Sequence, residues 1–366
     1  MCSRWLAVSK HCNVLWDRPP GLSTASRRQA RRPVPLLILL ALAASAPAAT
    51  RPHYGGVLRV EVRQNIESVD PPDTGPGLAD LIGAFSITRW EAGRRASYAA
   101  DDGAPGGRPF LDAVEVQMGR PLRDQSIDLE VGKAEVVELG PGDARRGAAG
   151  RRMWVSAPVR IVALVFGPRV EDARIREGLA LAVDRTAILN VLLQKQGEIS
   201  AALLPQWISG YAFLFQSSAD LAKARTMIAA AATAARNLSI GVEDASFRAM
   251  ADRVALNARD AGLAVTAAAP ASAADVRLVE VQVVSSEPAR ALAGIAAALG
   301  LAVPPRMDSV EALYNAERAM LDGFRVVPLF HLPAVYGAAP RVRGATGISP
   351  LGQWKFENVW LEGGRP

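Results

Sequence analysis

The sequence predicts an α/β protein, and three observations carry that expectation. Half of the 366 residues are hydrophobic, enough for packed cores in two or three domains. Through the middle of the chain, short apolar runs bounded by Gly, Pro and Asp alternate with longer runs of helical period. Outside that block, strand-like runs separated by turns form a mixed periphery. The composition excludes a disordered chain, a collagen and a disulfide scaffold, and no internal repeat is present.

Val57-Leu58-Arg59-Val60-Glu61-Val62 alternates apolar and polar residues and reads as a strand, stopped by Asp70-Pro71-Pro72-Asp73-Thr74-Gly75-Pro76-Gly77. A second strand is expected over 84–90, with Glu91-Ala92-Gly93-Arg94 as its turn, and a third over 114–118 after the loop 103–109. Residues 140–152, rich in Gly, Ala and Arg, show no apolar period and read as a loop or linker. The unbroken apolar run 160–166 has the form of a strand buried in a sheet.

From 171 to 196, Ile175, Leu179, Ala182, Val183, Ile188, Leu189 and Leu192 recur at helical spacing. Asp184 in mid-run either continues that helix or caps a second one. Further helices are expected over 221–235, 249–261 and 310–321, with an Ala-rich one after 284. Strands are expected over 238–242, 263–265, 276–284 and 326–332.

The net charge of +6 lies wholly in residues 1–49, where seven basic groups face the single acid Asp17, so the rest of the chain is neutral. A neutral body without a basic stripe argues against a nucleic-acid partner. Arg27-Arg28-Gln29-Ala30-Arg31-Arg32, the apolar run 36–44 and Ser45-Ala46-Pro47-Ala48-Ala49 form a secretory signal peptide with cleavage after Ala48 or Ala49. The alternative is an uncleaved anchor over 34–49. Cys2 and Cys12 both lie in the leader, so the exported chain is expected to hold together without disulfides.

In order along the chain, several pieces resemble one family. Gly55-Gly56-Val57-Leu58-Arg59-Val60 with Ser68-Val69-Asp70-Pro71 is similar to the opening strand and Leu-Asp-Pro turn of the family 5 (peptide, dipeptide and nickel type) solute-binding proteins of bacterial ABC importers. Residues 85–94 and Gly107-Arg108-Pro109-Phe110-Leu111-Asp112 resemble the stretch after that family's second subdomain. Asp172-Ala173-Arg174-Ile175-Arg176-Glu177-Gly178-Leu179-Ala180-Leu181-Ala182-Val183-Asp184-Arg185 resembles its Arg-x-Arg, Ala-Leu and Ile-Asp-Arg signature, in which Arg174, Arg176, Asp184 and Arg185 are the structural residues. Leu204-Pro205, Ala219-Asp220-Leu221-Ala222-Lys223-Ala224, Val327-Pro328-Leu329-Phe330 and Asn358-Val359-Trp360-Leu361 follow the family's later segments.

The resemblance implies a two-lobed, type II periplasmic-binding-protein-like α/β fold with mixed sheets and a hinge. Lobe 1 is expected over 50–158 with a return at 326–366, and lobe 2 over 159–325. Between Asp73 and Gly83 the chain has room for a short loop only, so the family's second subdomain is expected to be absent. The family's Trp-x-x-Asp-Tyr-Pro-Asp region and the aromatic pair before Gly106-Gly107-Arg108-Pro109 have no counterpart either.

Two readings of the charged signature stand side by side: a carboxylate clamp built from its arginines, or a solvated helix face with an N-cap, which its spacing already explains. The loop Pro205-Gln206-Trp207-Ile208-Ser209-Gly210-Tyr211-Ala212-Phe213 concentrates aromatic residues, so Trp207, Tyr211 and Phe213, with Arg89, are the candidate ligand-binding residues, against the alternative that the aromatics cap a core. Catalysis has no carrier: His53 and His331 lie in no zinc-binding pattern, and no Gly-x-Ser-x-Gly elbow is present. His331, on an apolar strand, reads as a core histidine. No catalytic residue, metal or cofactor is expected.

Function follows as an expectation from the resemblance. The protein is a non-enzymatic, monomeric, periplasmic or extracellular binding protein that hands a peptide or similar small solute to an ABC permease by hinge closure. The alternative is a degenerate solute-binding scaffold acting as a non-transport interaction or sensor protein.

Overall fold

The computed structural model describes residues 51–68, 78–140, 152–211, 213–267, 271–303, 307–344 and 347–363. The leader, the 70–77 turn and most of the 140–152 linker lie outside them. Strand β1 (Val57–Glu61) is followed by the hairpin β2 (Phe85–Glu91) and β3 (Arg95–Ala100), then β4 (Ala113–Gln117), helix α1 (Leu122–Glu130) and β5 (Val136–Glu138). The long strand β6 (Arg152–Phe166) leads into α2 (Ala173–Ala182), α3 (Arg185–Val191), β7 (Glu198–Ile199), α4 (Gln206–Ser209) and α5 (Leu221–Ala230). Next come β8 (Asn237–Val242), α6 (Arg248–Asp260), β9 (Ala264–Ala267), β10 (Val276–Gln282), α7 (Pro288–Leu299) and α8 (Val310–Leu321). A second long strand, β11 (Val326–Ala338), precedes the small β12 (Val342–Gly344) and β13 (Val359–Leu361) pair.

One mixed sheet runs through the described chain in the order β2-β3-β4-β1-β5-β11-β6-β10-β8-β9, with β7 beside β11. β1 pairs parallel with β4 and β5 at one end, and β8 pairs parallel with β10 and β9 at the other. Only the antiparallel pair β6 and β11 joins the two halves.

Core composition changes along those two strands. At one end Leu58, Val60, Val114, Val116, Trp154 and Tyr336 pack with Trp354 and Phe356 of the C-terminal tail, whose rings stack 5.0 Å apart. At the other end the alternate residues of β6 serve two separate cores. Val162, Leu164 and Phe166 face α2, α3, α5 and α6, while Val159, Ile161, Ala163 and Val165 face α7 and α8. That two-sided burial is why 160–166 reads as an unbroken apolar run.

Both long strands exceed the spans that periodicity suggested, because proline reads as a strand end while here it sits inside the ladder. Pro333 of β11 lies opposite Pro158 of β6, and register shifts flank Pro333 on both sides. Neither proline has an N–H to donate, so the ladder is thinnest where the two halves meet. The first half of β11 packs with the helical cores, through Val327, Leu329, Phe330 and Leu332, and its second half with the other, through Ala334, Tyr336 and Ala338. The change of core along this strand falls at Pro333.

The helix at 171–196 is two helices. Asp184 caps α3 by accepting from the Ala187 N–H at 2.9 Å, as Asp172 caps α2 through the Arg174 N–H at 2.9 Å. A Cβ on Gly178 would lie 2.7 Å from Ile228 Cγ1, so glycine is what lets α2 and α5 approach. Strand β3, helix α1 and strand β5 had no counterpart in the sequence reading; each is short, and α1 carries Arg, Asp, Gln and Ser within its turns.

Candidate functional site

Because β1 and β5 run toward β8 and β10 across the proline-broken ladder, the carboxyl ends of parallel strands from both halves converge on one cleft. Arg63 and Gln64 follow β1, and Glu138, Leu139 and Gly140 end β5. From the other half come Leu192, Leu193 and Gln196 after α3, and Ser246, Phe247 and Met250 at the start of α6. Arg160, Gln282 and Leu332–Tyr336 form the floor, and the inner cavity these residues enclose has a volume of about 170 Å³. It shares Arg63, Gln64, Leu122, Ser246 and Phe247 with a wider mouth of about 910 Å³, edged by Asn65, Gly119, Arg120, Glu243, Asp244 and Glu280.

Arg63 spans this cleft. Its guanidinium meets Asp244 at 2.5 Å and Glu280 at 2.6 Å, with Glu138 at 3.6 Å. It also donates to Ser246 Oγ at 3.1 Å and lies 5.8 Å from the Phe247 ring centre. Its side chain is 9% exposed. Burial alone would lower its pKa, and the carboxylates of Glu280, Glu138 and Asp244 outweigh that and hold it above the ordinary arginine value. Arg160 adds a second cation, 2.9 Å from Glu280 and donating to the Pro333 carbonyl at 2.6 Å. The cleft thus has an apolar body and a mutually paired ionic rim.

The signature arginines are not in it. Arg174 pairs with Asp172 on the surface at 2.8 Å. Arg176 donates to the carbonyls of Gly323, Val170 and Glu171 at 2.6, 2.8 and 2.7 Å. Arg185, 1% exposed, donates to the carbonyls of Ala180, Ser217 and Pro328, and burial lowers its pKa to about 10. All three staple loops and helix ends to one another; Arg174 stands on the solvated face, whereas Arg176 and Arg185 are buried, so the solvated-face reading fails for those two and the clamp reading for all three.

Of the four ligand candidates, none lines the cleft. Arg89 lies on β2, near the far edge of the sheet, and pairs with Glu91. Trp207 is 43% exposed and its indole N–H donates to the Pro158 carbonyl of β6 at 3.0 Å. Tyr211 donates to Glu317 at 2.6 Å. Phe213 edges a separate small cavity with Glu198, Gln206 and His331.

Glu317, on α8 and fully buried, also accepts from the backbone N–H groups of Leu203 and Leu204. Burial raises its pKa, against the opposing effect of the hydrogen bonds it accepts. The aromatic loop is therefore anchored from beneath by a carboxyl. His331 is 3% exposed; its Nε2 lies 3.0 Å from the Leu203 carbonyl, and burial pushes it down to about 4. It is a core histidine. Among the described residues no cluster of His, Cys, Asp and Glu could hold a metal ion, and no helix is long and apolar enough to cross a membrane.

Sequence reasoning missed Arg63, Glu138, Asp244 and Glu280. A weak signal existed: Glu280 is an acid inside the apolar strand Val276–Gln282, and Arg63 and Glu138 stand at strand ends.

The chain matches the bacterial extracellular solute-binding proteins, family 5 Middle, over residues 27–316. No curated protein matches it in sequence. Among solved structures it is similar to NikA from Staphylococcus aureus with a nickel complex of L-histidine, at a TM-score of 0.66 and 12% identity, covering 76% of this chain and 68% of that one. A dipeptide-binding protein from Pseudoalteromonas with Met-Leu gives 0.64 and 13%, covering 76% and 64%. The oligopeptide-binding protein AppA from Bacillus subtilis with a nonapeptide gives 0.60 and 13%, covering 76% and 66%. The chain thus spans about two thirds of the length of these proteins, and the shared fold is the two-lobed type II binding-protein architecture.

Proposed function

The chain belongs to family 5 of the bacterial extracellular solute-binding proteins, and from that premise we propose that it captures a small solute, a peptide or a similar molecule, and delivers it to an ABC permease by hinge closure. The observation that carries this reading is the cleft itself, which lies at the carboxyl ends of both sets of parallel strands and is floored by the two strands that, among the described residues, join the two halves of the sheet. Lobe 1 ends near Pro158 and resumes after Pro333; the paired prolines are the hinge. Solute bridging both lobes stabilises the closed form in proportion to its preference for that form. The leader's arginines and apolar run support export to the periplasm or the outside.

A thermal-shift screen of the purified protein against short peptides and other small solutes tests the reading. A solute at about 100 times its Kd adds near 2.7 kcal/mol of stability. Trp207, tied to the hinge at Pro158, reports closure by its fluorescence. A flat response across a broad library from folded protein refutes solute capture and favours the scaffold without transport.

A further inference from the structure

The inference rests on the solute-binding reading and narrows its ligand. The positive groups facing the inner cavity are Arg63 and Arg160, and each is already ion-paired with Glu280. Arg63 is held by Asp244, Glu280 and Glu138. Arg160 is held by Glu280 and the Pro333 carbonyl. Three carboxylates converge on the single guanidinium of Arg63, so it offers no unpaired charge to an anion. A ligand carboxylate entering here would have to displace a protein carboxylate from the buried Arg63, leaving Glu280, 9% exposed, unpaired with it or stripping Asp244 of its partner. The remaining wall is apolar, with Leu139, Leu193, Met250, Leu332 and Val335, and carboxamides Gln64 and Gln282 stand at its edge. At about 170 Å³ the cavity has room for roughly a dozen water-sized positions, the scale of a single amino-acid-sized body.

We infer that the ligand of this cleft is a small apolar solute that carries no carboxylate, and that Asp244 and Glu280 set this specificity by saturating Arg63. A free amino acid or free peptide is therefore a poor ligand, whereas its amide is a good one. The amide's NH2 donates to protein carboxylate or carboxamide oxygens without an ion pair having to open.

Calorimetric titration of the full chain with N-acetyl-leucinamide, leucinamide, leucine and N-acetyl-leucine, four molecules that differ only in their end groups, tests this. The two amides should bind at least about tenfold more tightly than the two acids. Asp244→Asn, which takes one carboxylate from Arg63, should narrow that gap by raising the affinity for N-acetyl-leucine, and Glu280→Gln serves as a second variant should the first not fold. Acids binding as tightly as amides would overturn the inference and leave solute capture standing. So would silence from all four probes while a carboxylate-bearing solute from a wider library binds. No binding by any solute to folded protein would remove both.

Discussion

Arg63→Ala removes the one side chain that reaches Glu138, Asp244 and Glu280 together. Three carboxylates then share the cleft with Arg160 as their remaining cation, and Glu280 alone is within its reach, at 2.9 Å. Removing one partner of a buried ion pair costs about 3–5 kcal/mol, because the stranded charge stays desolvated. If the lobes part at the proposed hinge and let water in, part of that cost is converted into opening. The expected loss in urea unfolding is therefore about 2–4 kcal/mol, accompanied by a larger radius of gyration in small-angle scattering. An unfolding midpoint within about 0.5 kcal/mol of wild type, together with an unchanged scattering curve, would show that Arg63 does not hold the cleft closed and would refute the reasoning.

Four further outcomes are expected. Glu317→Gln keeps an acceptor for Leu203 and Leu204 and can reverse the Tyr211 bond, its amide NH2 donating to the phenol oxygen, so it should cost under about 1 kcal/mol, whereas Glu317→Leu orphans two buried N–H groups at about 1–3 kcal/mol each. Because the folded carboxyl of Glu317 has a raised pKa, wild type should lose stability as pH climbs from the unfolded glutamate value toward the folded one, a slope that Glu317→Gln removes. His331 titrates near 4 when folded and near 6.5 when unfolded, so stability is full above 6.5 and falls by roughly 3 kcal/mol as pH drops from 6.5 to 4; denaturation midpoints of wild type and His331→Gln at pH 7 and 4.5 would check it. Arg185→Ala leaves the Ala180, Ser217 and Pro328 carbonyls without their donor and should lower the melting free energy by about 3 kcal/mol, measured by calorimetry. Trp207→Phe should abolish any ligand-linked emission change while leaving binding intact, read by parallel fluorescence and calorimetric titrations.

The elements visible in the sequence were those with a long, clean period. Residues 310–321 read as a helix and α8 is Val310–Leu321, since Ser309 caps it and Leu313, Ala316 and Leu321 line one face. The family signature was legible too, and so was its structural role, because Asp172 and Asp184 stand where N-caps are needed. By contrast β5, three residues long, is stabilised by pairing with β1 and β11, neither of which is its neighbour in the chain. The prolines misled for the same reason: Pro158 and Pro333 look like stops, and only their facing each other inside the ladder makes them a joint.

Local grammar, then, dictated the α/β class and the capped helices, because periodicity and caps act within a few residues of chain, while the two-lobed family came from the resemblance of ordered motifs. The aromatic loop at 205–213 drew attention as a binding surface, yet its chemistry is spent on Glu317 and the hinge carbonyl. What only folding decides is which charges meet. Arg63 stands 181 residues from Asp244 and 217 from Glu280, and no local pattern reaches that far. Their pairing depends on strand direction and sheet order, which long-range packing alone selects.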